Sequence, residues 1–466
     1  MSRTLRRDQI PEPVVEIVQK LRDAGFRAWV VGGCLRDLLL GKEVSDWDIA
    51  TSALPKDVKG VFRRVIPTGI EHGTVTVLYA GGAYELTTLR GEGAYSDGRR
   101  PDEVFFVDDI GEDLARRDFT VNAIAFDPTE GILVDPYGGL EDLDRRVIRA
   151  VGEPAERFGE DGLRVLRAAR FVATLEFELD PATEAAIGGQ LDTFAKVSKE
   201  RVRDEWLKTM KAKRPSRAFE AMRRTGILGV TCPTLLEQVG CEQNQWHNHD
   251  VWGHTMETLD ASDGKAIDRI AALLHDIGKP ETRAHSDKTN DWTFYNHERV
   301  GAKMADRWLR KYRFSNEERT DVVHLIRHHL ICYSPKWSDA AVRRFLRRVG
   351  ADHVGRLLAL GRADAIGKGR PVDEEMKALA ELEGRIEAVL AAGAALSTRD
   401  LLVNGKDVME RLGVPGGPVI GRVLGALLDQ VTEDPALNDR DRLLAIIDDL
   451  GPAELRALQE SREGKP

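Results

Sequence analysis

Residues 31–48 read Val-Gly-Gly-Cys-Leu-Arg-Asp-Leu-Leu-Leu-Gly-Lys-Glu-Val-Ser-Asp-Trp-Asp, and they decide the fold of the amino-terminal region. Gly32 and Gly33 follow an apolar run that predicts a strand, and they open a predicted short helix. The free N–H groups and positive dipole end of such a helix suit a triphosphate. Arg36, one helical turn further on, can reach phosphate oxygens. The stretch therefore predicts a strand, turn and helix that bind phosphate.

The same stretch ends in two aspartates, Asp46 and Asp48, separated by one residue. On a strand, residues two apart point to the same face, which would place these carboxylates roughly 7 Å apart along the backbone. Such a pair can hold Mg²⁺ beside a bound phosphate. An isolated Asp-x-Asp is most often part of a solvated turn. The combination with the glycine turn and the arginine favours a metal-dependent nucleotide site.

Length and composition set the outer limits of the interpretation. A chain of 466 residues exceeds what one hydrophobic core normally serves, so several domains are expected. The amino-terminal residues lack the apolar core of a signal peptide, and no run reaches the ~18 apolar residues of a membrane span. We therefore expect a cytoplasmic protein with no membrane partner. The four cysteines form no Cys-x-x-Cys pair, so histidines and carboxylates are the expected metal ligands.

The distribution of strand and helix patterns predicts the fold class. Thr74–Tyr79, the turn Ala80-Gly81-Gly82 and Ala83–Leu89 predict a β-hairpin, whereas apolar residues recur at helical spacing from Pro154 onward. The prediction is an α/β head followed by a long all-α body. The predicted domains are the head (residues 1–150), a helical neck with a nucleobase-reading helix and RNA-binding helices (151–240), a helical domain with its own metal site (241–370) and a helical tail that contacts RNA (371–466).

A basic segment between residues 199 and 224 is a candidate for contact with an RNA backbone. The net charge of −9 does not exclude nucleic acid, because binding depends on local patches. The alternative is a solvated pair of helices. The candidate RNA-binding residues are Lys208, Lys211, Lys213, Arg214 and Arg217.

Residues 157–171 predict a helix that could read a nucleobase. Asp161 and Arg164 would lie one turn apart, with Arg167 and Arg170 continuing along nearby positions. A carboxylate beside a guanidinium can accept from the exocyclic amine of cytosine or adenine and donate to the adjacent ring nitrogen, a test that uracil and guanine fail. A surface salt bridge is the alternative. Arg117 is a further candidate for phosphate binding, with a salt-bridged strand entry as its alternative.

Together these motifs resemble the class II tRNA nucleotidyltransferase and bacterial poly(A) polymerase family, which belongs to the polymerase-β-like nucleotidyltransferases. The resemblance covers Val31 to about Leu228 and resumes between residues 404 and 418. It implies that Asp46 and Asp48 are catalytic and bind Mg²⁺. It also implies nucleotide contacts from a set of glycines and charged residues, namely Gly32, Gly33, Arg36, Arg117, Asp161, Arg164, Arg167 and Arg170.

The chemistry implied by this resemblance is attack of an RNA 3′-hydroxyl on the α-phosphate of CTP or ATP, with release of pyrophosphate. We therefore predict addition or repair of CCA on the tRNA acceptor arm, by a monomer or a homodimer. In this family the loop corresponding to Gly91–Pro101 helps to switch specificity from C to A, so its presence favours full CCA addition. An A-adding enzyme or a poly(A) polymerase is the alternative. Glu85, on the hairpin, could supply a third carboxylate, but a strand glutamate more often faces solvent, so it is left without an assigned role.

A second site is indicated by His275-Asp276, which ends an apolar run and precedes Ile277-Gly278-Lys279-Pro280. This pattern resembles the HD phosphohydrolase superfamily. The resemblance implies hydrolysis of phosphomonoesters or 2′,3′-cyclic phosphates and a site for Mn²⁺, Ni²⁺ or Mg²⁺. The implied ligands are His254, His275, Asp276 and Asp364, with His297 and His328 as further candidates. The alternative to this metal site is a set of core histidines bonded to helix ends. The alternatives for the function of the whole chain are a phosphohydrolase whose head only binds nucleotides and an RNA-binding protein without catalysis.

Overall fold

The computed structural model describes residues 5–70, 73–92 and 104–463. The chain divides into two compact units, and each is described by itself. The first comprises Met1–Leu236 with Lys311–Arg313, and the second comprises Glu237–Arg310 and Phe314–Pro466. Most of the predicted specificity loop, including Tyr95, Asp97, Arg99 and Arg100, lies outside the described residues.

Thirteen strands are present in the described residues. In chain order they are β1 (Ala28–Val31), β2 (Asp48–Thr51), β3 (Val65–Gly69), β4 (Thr74–Tyr79), β5 (Gly82–Thr88), β6 (Arg90–Glu92), β7 (Val104–Phe106), β8 (Ala125–Asp127), β9 (Ile132–Val134), β10 (Val147–Ile148), β11 (Glu178–Leu179), β12 (Ala284–Ser286) and β13 (Asp291–Thr293).

The head is built on a seven-stranded sheet with the order β3-β4-β5-β2-β1-β8-β9. Strands β2 and β5 run parallel, whereas the other neighbouring pairs run antiparallel. The central strand β1 is buried at all four positions, as expected for a strand covered on both faces. The predicted hairpin is present as β4 and β5, and Ala80 and Gly81 close its turn with positive φ angles.

Helices dominate the rest of the chain. Those of the first unit are α1 (Glu12–Asp23), α2 (Gly33–Leu39), α3 (Pro55–Val61), α4 (Ile110–Ala115), α5 (Gly139–Arg145), α6 (Pro154–Glu160), α7 (Leu163–Leu175), α8 (Pro181–Ile187), α9 (Leu191–Ala195), α10 (Lys199–Thr209), α11 (Ser216–Arg224), α12 (Ile227–Thr231) and α13 (Pro233–Leu236).

The remaining helices are α14 (Val251–Ala261), α15 (Ala266–Leu274), α16 (Lys279–Thr282), α17 (His297–Lys311), α18 (Asn316–His328), α19 (Asp339–Val349), α20 (Ala351–Gly367), α21 (Asp373–Ala391), α22 (Gly405–Leu412), α23 (Pro418–Glu433) and α24 (Arg440–Glu463). The predicted α/β head followed by a helical body is therefore confirmed. None of the helices in the described ranges combines the length and the apolar character needed to cross a membrane.

The amphipathic faces of the helices supply the cores that fix these elements. In the second unit, α22, α23 and α24 bury residues such as Val408, Val423, Leu427 and Leu443 in a cluster of their own. In the head, β1 and its neighbours bury Trp29 and other apolar residues around the sheet. Burial of each such side chain contributes roughly 1.5–3 kcal/mol to the stability of the fold. The cores thereby hold in place the strand and helix ends that carry polar residues.

Candidate functional sites

The sheet registers bring the glycine turn and a metal-type carboxylate to one edge of the head. Val30 pairs with Ile49 across antiparallel strands, so the end of β1 lies beside the start of β2, which is Asp48. Gly32 follows β1 with a φ of +82°, and a Cβ there would lie 2.5 Å from the Arg117 guanidinium. The turn therefore requires glycine at this position.

This edge opens into a cavity of about 550 Å³ in the first unit. Several residues singled out from the sequence line it, namely Gly33, Arg36, Asp48, Arg117, Asp161, Arg164 and Arg167. Other lining residues were not assigned a role from the sequence, among them Glu85, Arg116, Phe171 and Arg201. The structure thus gathers residues from the head and from the helices that follow it around one space.

The two predicted metal carboxylates do not share a strand. Asp48 is the first residue of β2, whereas Asp46 lies in the preceding loop, so the expected strand spacing is wrong for this pair. The reason is that sheet pairing begins only at Asp48. Asp46 accepts a hydrogen bond from Ser45 Oγ at 3.1 Å. Within the described residues, Asp48 lines the cavity and Asp46 does not.

Glu85 supplies a carboxylate that the sequence analysis left unassigned. The parallel pairing of β2 with β5 places Glu85 directly beside Asp48. Burial, and then the Glu85 and Asp46 carboxylates, raise the pKa of Asp48, whereas Arg117 lowers it. A divalent cation would relieve this repulsion between carboxylates, and oxygen donors are those that Mg²⁺ prefers. The donor set therefore fits a magnesium site.

Arg36 and Arg167 are connected through two buried polar side chains. Arg36 Nη1 donates to Asn122 Oδ1, and Asn122 Nδ2 donates to Asp118 Oδ1 at 2.9 Å. Arg167 Nε donates to Asp118 Oδ2 at 2.8 Å. Burial would raise the pKa of Asp118, but Arg167 and Asn122 hold it well below its usual range. The ionised Asp118 thus fixes two guanidinium groups at the cavity.

The buried carboxylate of Glu205 lies close to three cationic side chains. Arg170 Nε donates to Glu205 Oε2 at 2.5 Å, and Arg167 Nη1 lies 3.8 Å from Glu205 Oε1. Lys208 Nζ also donates to Glu205 Oε1, at 3.1 Å. Burial would raise the pKa of Glu205, but Arg170 and then Arg167 lower it. The role of Glu205 was missed, although it lies in the basic segment recognised from the sequence.

Phe171 provides an apolar surface among these cations. Its ring centroid lies 4.0 Å from Cζ of Arg170, 5.3 Å from that of Arg36 and 5.5 Å from that of Arg167. Each guanidinium contact with the ring is worth about 0.5–1 kcal/mol or more once water is excluded. The ring therefore helps to keep the three arginines together without neutralising them.

The segment predicted as one base-reading helix is broken at Asp161. Helix α6 ends at Glu160, Asp161 adopts extended angles (φ −138°, ψ 105°), and α7 begins at Leu163. A Cβ at Gly162 would lie 2.8 Å from the backbone of Phe194, so this close approach accompanies the break. Periodicity alone could not reveal it, because apolar residues on both sides keep helical spacing.

The break changes the partners of the two predicted base-reading residues. Asp161 Oδ1 accepts from the Leu163 backbone N–H at 3.0 Å, and Oδ2 accepts from Arg201 Nη2 at 2.6 Å. The Arg164 guanidinium donates instead to the Arg116 carbonyl at 2.8 Å and to the Glu160 carboxylate. The expected side-by-side pair of Asp161 and Arg164 is therefore not formed, although both residues line the same cavity.

The candidate RNA-binding residues differ in exposure. Lys208 is exposed on α10, and Lys211, Lys213 and Arg214 are exposed in the connection between α10 and α11. Arg217, on α11, is partly buried and donates to the Phe177 carbonyl at 3.2 Å and to the Glu178 carboxylate. Four of the five residues are therefore exposed to solvent, although Lys208 also contacts Glu205, whereas Arg217 is partly buried.

A second cluster of buried polar side chains lies in the second unit, around Asp276. Nε2 of His254 and of His275 lie 3.2 and 3.1 Å from Asp276 Oδ2. Nε2 of His297 and of His329 lie 3.3 and 3.6 Å from Asp276 Oδ1. The cluster thus consists of two trios that share Asp276, and the ligand atoms within each trio lie within 4.8 Å of one another.

The orientation of the imidazoles makes this cluster suitable for cations. Nδ1 of His275, His297 and His329 each lie 2.6–2.7 Å from a backbone carbonyl, so Nδ1 carries the proton in the neutral ring and Nε2 presents a lone pair. The facing Nε2 atoms of His297 and His329 are 3.2 Å apart. Burial lowers the pKa of His329 to about 3, so the His329 ring stays neutral and its Nε2 lone pair remains available to a cation.

Asp364 and Lys279 complete the surroundings of Asp276. Asp364 Oδ1 lies 3.0 Å from His254 Nε2, and Lys279 Nζ lies 2.6 Å from Asp276 Oδ2. Burial would lower the pKa of His275, but Asp276 and Asp364 raise it to about 10. The two carboxylates therefore favour a positive charge at this position, whether it is a proton or a metal ion. The nitrogen and oxygen donors fit a transition metal or Mg²⁺.

The further ligand predicted at His328 is wrong by one residue. Helix α18 ends at His328, whose ring lies 4.6 Å from that of His324, whereas the adjacent His329 is buried in the cluster. Successive residues of a helix point about 100° apart, so only one of two neighbouring histidines can face the cluster. Sequence alone does not give the helical phase that distinguishes them.

Sequence profiles of three known families match this chain. The poly A polymerase head domain matches residues 28–149, and the probable RNA and SrmB-binding site of polymerase A matches residues 176–238. The HD domain matches residues 252–365. The matched ranges contain the head cavity's strands, the basic segment and the cluster around Asp276.

Two relatives match nearly the whole chain. The CCA-adding enzyme of Geobacillus stearothermophilus is 35% identical over 442 residues, which cover 92% of this chain and 94% of that enzyme. The CCA-adding enzyme of Levilactobacillus brevis is 33% identical over 436 residues, which cover 93% and 96%. The chain belongs to the CCA-adding enzyme family.

A shorter match and a solved structure extend the comparison with CCA-adding enzymes. The enzyme of Lactobacillus delbrueckii subsp. bulgaricus is 48% identical over 231 residues, so the chain spans 58% of that relative's length in this match. The crystal structure of the Bacillus stearothermophilus CCA-adding enzyme in complex with CTP has a TM-score of 0.73 and 30% identity, covering 96% of this chain and 98% of that one.

The Glu205 contacts lead to a testable prediction for nucleotide binding at the head cavity. Glu205→Gln removes the charge that offsets Arg167 and Arg170, so the guanidinium groups should repel each other and leave their positions. We expect KM for CTP to rise roughly tenfold with a smaller change in kcat. Steady-state kinetics on tRNA lacking CCA measure both constants. Glu200→Gln, exposed in the first turn of the same helix, is the matched control, and an equal KM in both variants would refute the role.

Proposed function

We propose that the head of this chain adds or repairs the 3′-terminal CCA of tRNA from CTP and ATP. The observation that carries the proposal is the head cavity, in which Asp48 and Glu85 stand beside a glycine turn and a group of arginines. The relatives that match nearly the whole chain are CCA-adding enzymes, and one related structure is a complex with CTP. We propose that the protein acts in the cytoplasm and that tRNA is its partner there.

The residues divide the work between metal, phosphate and base. Asp46 and Asp48 would hold Mg²⁺, with Glu85 close enough to Asp48 to share it. When bound, such ions make the RNA 3′-hydroxyl a stronger nucleophile and offset the charge of the departing pyrophosphate. Gly33, at the start of α2, and Arg36 would orient the triphosphate, which aligns the α-phosphate with the attacking oxygen.

The remaining arginines and the basic connection serve base selection and RNA binding. Arg117 and Arg167 line the cavity and would contact phosphate, while Asp161 and Arg164 would read the base. Asp161 forms an ion pair with Arg201, so base reading requires this ion pair to open or to contact the base as a pair. The exposed charges of residues 208–214 would follow the acceptor arm by its backbone and shape.

Incorporation assays on three tRNA substrates test this function. Purified protein is incubated with labelled CTP or ATP and tRNA ending before CC, before A, or with complete CCA. We expect two C and one A on the first substrate, one A on the second and no addition on the third. Addition of A alone would indicate an A-adding enzyme, and long A tails on unrelated RNA would indicate a poly(A) polymerase. Absence of any incorporation would overturn the proposal.

Base reading can be tested at Asp161 without removing its structural hydrogen bond. In Asp161→Asn the amide oxygen can still accept from the Leu163 N–H, while the amide nitrogen offers a donor where cytosine needs an acceptor. We expect the preference for CTP over UTP to fall at least tenfold, because uracil presents a carbonyl at that position. Competition between labelled CTP and UTP measures the ratio. Asp192→Asn, an exposed residue on α9, is the control, and unchanged selectivity would contradict base reading at Asp161.

We propose as a second function that the cluster around Asp276 is a metal-dependent phosphohydrolase centre. The five convergent side chains favour it, because four imidazoles surround one buried carboxylate. His254, His275 and Asp276 would hold one divalent ion, and Asp276, His297 and His329 a second, with Asp364 near the first. Such ions polarise a phosphate ester and supply hydroxide at neutral pH. Mn²⁺, Ni²⁺ and Mg²⁺ suit these donors, and the expected substrates are phosphomonoesters or 2′,3′-cyclic phosphates.

A further inference from the structure

The cluster around Asp276 borders a cavity of about 460 Å³ whose lining includes several aromatic rings. Asp276, His297, His329 and Asp364 supply polar groups to this lining. Trp246, Trp292, Phe294 and Tyr295 contribute the rings. This volume falls in the range of small-molecule sites, which are about 300–1,000 Å³. The cavity therefore combines polar groups with aromatic rings at a size that fits one nucleotide.

Two of the rings are exposed to solvent rather than packed in the core. Trp246 is 57% exposed and Tyr295 is 78% exposed, whereas Phe294 is buried. Large rings exposed beside a polar cluster are typical of binding surfaces, because stacking of a planar ligand removes their apolar faces from water. Trp292 is covered on one face by the Arg283 guanidinium, 3.7 Å from its centroid, so it has less surface to offer.

Three cationic side chains lie in the lining of this cavity or beside one of its rings. Lys279 lies beside Asp276, and Lys368 is a lining residue with Nζ 3.1 Å from Glu375. Arg370 lies with Cζ 5.3 Å from the centre of the Trp246 ring. These cations suit a ligand that carries phosphate as well as a planar ring. A simple phosphomonoester without a ring would use the polar groups and leave the aromatic rings without a partner in the ligand.

We propose that Trp246 and Tyr295 form a nucleobase subsite, so that this centre selects nucleoside phosphates over phosphate esters without a base. The inference rests on the proposed phosphohydrolase function and names its substrate class. The phosphate faces Asp276 and Lys279, and the base stacks on the exposed rings. Free mononucleotides and the 3′ end of an RNA share this chemistry. Because every base has an apolar face, the subsite recognises a base without choosing among the four strongly.

Hydrolysis by the full chain in Mn²⁺, Ni²⁺ or Mg²⁺ tests the subsite. Adenosine 2′,3′-cyclic phosphate and glycerol 2-phosphate are compared for the parent, Trp246→Ala and Tyr295→Ala. We expect KM for the nucleotide to rise roughly tenfold in each variant, with kinetics on glycerol 2-phosphate unchanged. Trp246→Phe retains a ring and should stay within about threefold of the parent. Equal loss on both substrates, or no loss on the nucleotide, would overturn the subsite.

A binding measurement separates failure of the subsite from failure of the hydrolase. Calorimetric titration of 2′-AMP in EDTA needs no bound metal, and Trp246→Ala should weaken binding by a similar factor. If no ester is hydrolysed but this difference persists, the phosphohydrolase function fails and the subsite stands. If esters are hydrolysed but binding is the same in parent and variant, the subsite fails. Repeating the titration with a short RNA ending in a 3′-phosphate assigns the source: a larger loss for RNA indicates an RNA end.

Discussion

Replacing Asp48 by alanine is expected to reduce nucleotide addition by at least about a thousandfold, the largest effect of any head substitution. Asp48 begins β2, lines the head cavity and has Glu85 beside it in the adjacent strand. Loss of this carboxylate removes a ligand from the proposed magnesium site. The substitution leaves the backbone at this position and the pairing of β2 unchanged, so the head should still fold.

Incorporation of labelled CTP into tRNA lacking CCA measures this effect. Asp23→Ala, which removes an exposed carboxylate from α1, is the matched control and should add CTP at the parent rate. Ester hydrolysis by the Asp48→Ala protein in Mn²⁺ should equal that of the parent, since the second centre lies in the other unit. Addition at more than a tenth of the parent rate would show that the reaction does not depend on this carboxylate.

His329→Ala and His328→Ala should have opposite outcomes although the two residues are adjacent. His329 is buried with Nε2 facing His297, whereas His328 lies against His324 outside the cluster. Removing a metal ligand typically lowers metal affinity at least a hundredfold, because the remaining ligands cannot complete the site. We therefore expect His329→Ala to lose one of two bound ions and most hydrolysis, and His328→Ala to retain both.

Titration with Mn²⁺ followed by metal analysis after dialysis gives the number of ions for each variant. Nucleotide addition serves as the control for folding, and it should be unaffected in both. If the two variants bound the same number of ions with the same affinity, the assignment of His329 as a ligand would be refuted. If His328→Ala alone lost an ion, the sequence-based assignment would replace it.

The sequence predicted those parts of the site that depend on local patterns. Gly32, Gly33 and Arg36 follow a buried strand and begin a helix, and the structure shows that arrangement. His275-Asp276 ends an apolar helix, and both residues are buried in one cluster. In these cases the spacing along the chain sets the position in space, because a turn or a helix end determines the geometry.

The parts that were missed or left unassigned depend on pairing between distant segments. Glu85 lies beside Asp48 because β2 and β5 are parallel, a register that no local pattern contains. Glu205 meets Arg170 across two helices, and it was visible only as one acid in a basic segment. The ligand at His329 depends on helical phase, which two adjacent histidines leave ambiguous. The sequence alone therefore could not supply the register between distant strands or the rotational phase of the helices.

The break at Asp161 has a different cause. Gly162 approaches the Phe194 backbone so closely that a side chain would collide with it. The periodic pattern across residues 157–171 does not record this contact, so a single helix was the natural prediction. The break bears on the proposed base reading, because Asp161 faces Arg201 rather than Arg164.

Crystals of the full chain grown with CTP and Mn²⁺ test the central claim most directly. Anomalous scattering locates manganese independently of the surrounding density. We predict an ion bound by Asp46 and Asp48 within about 2.5 Å, with the triphosphate along Gly33 and Arg36 and the base near Asp161. Manganese bound elsewhere, or CTP outside the head cavity with those carboxylates pointing apart, would contradict the account.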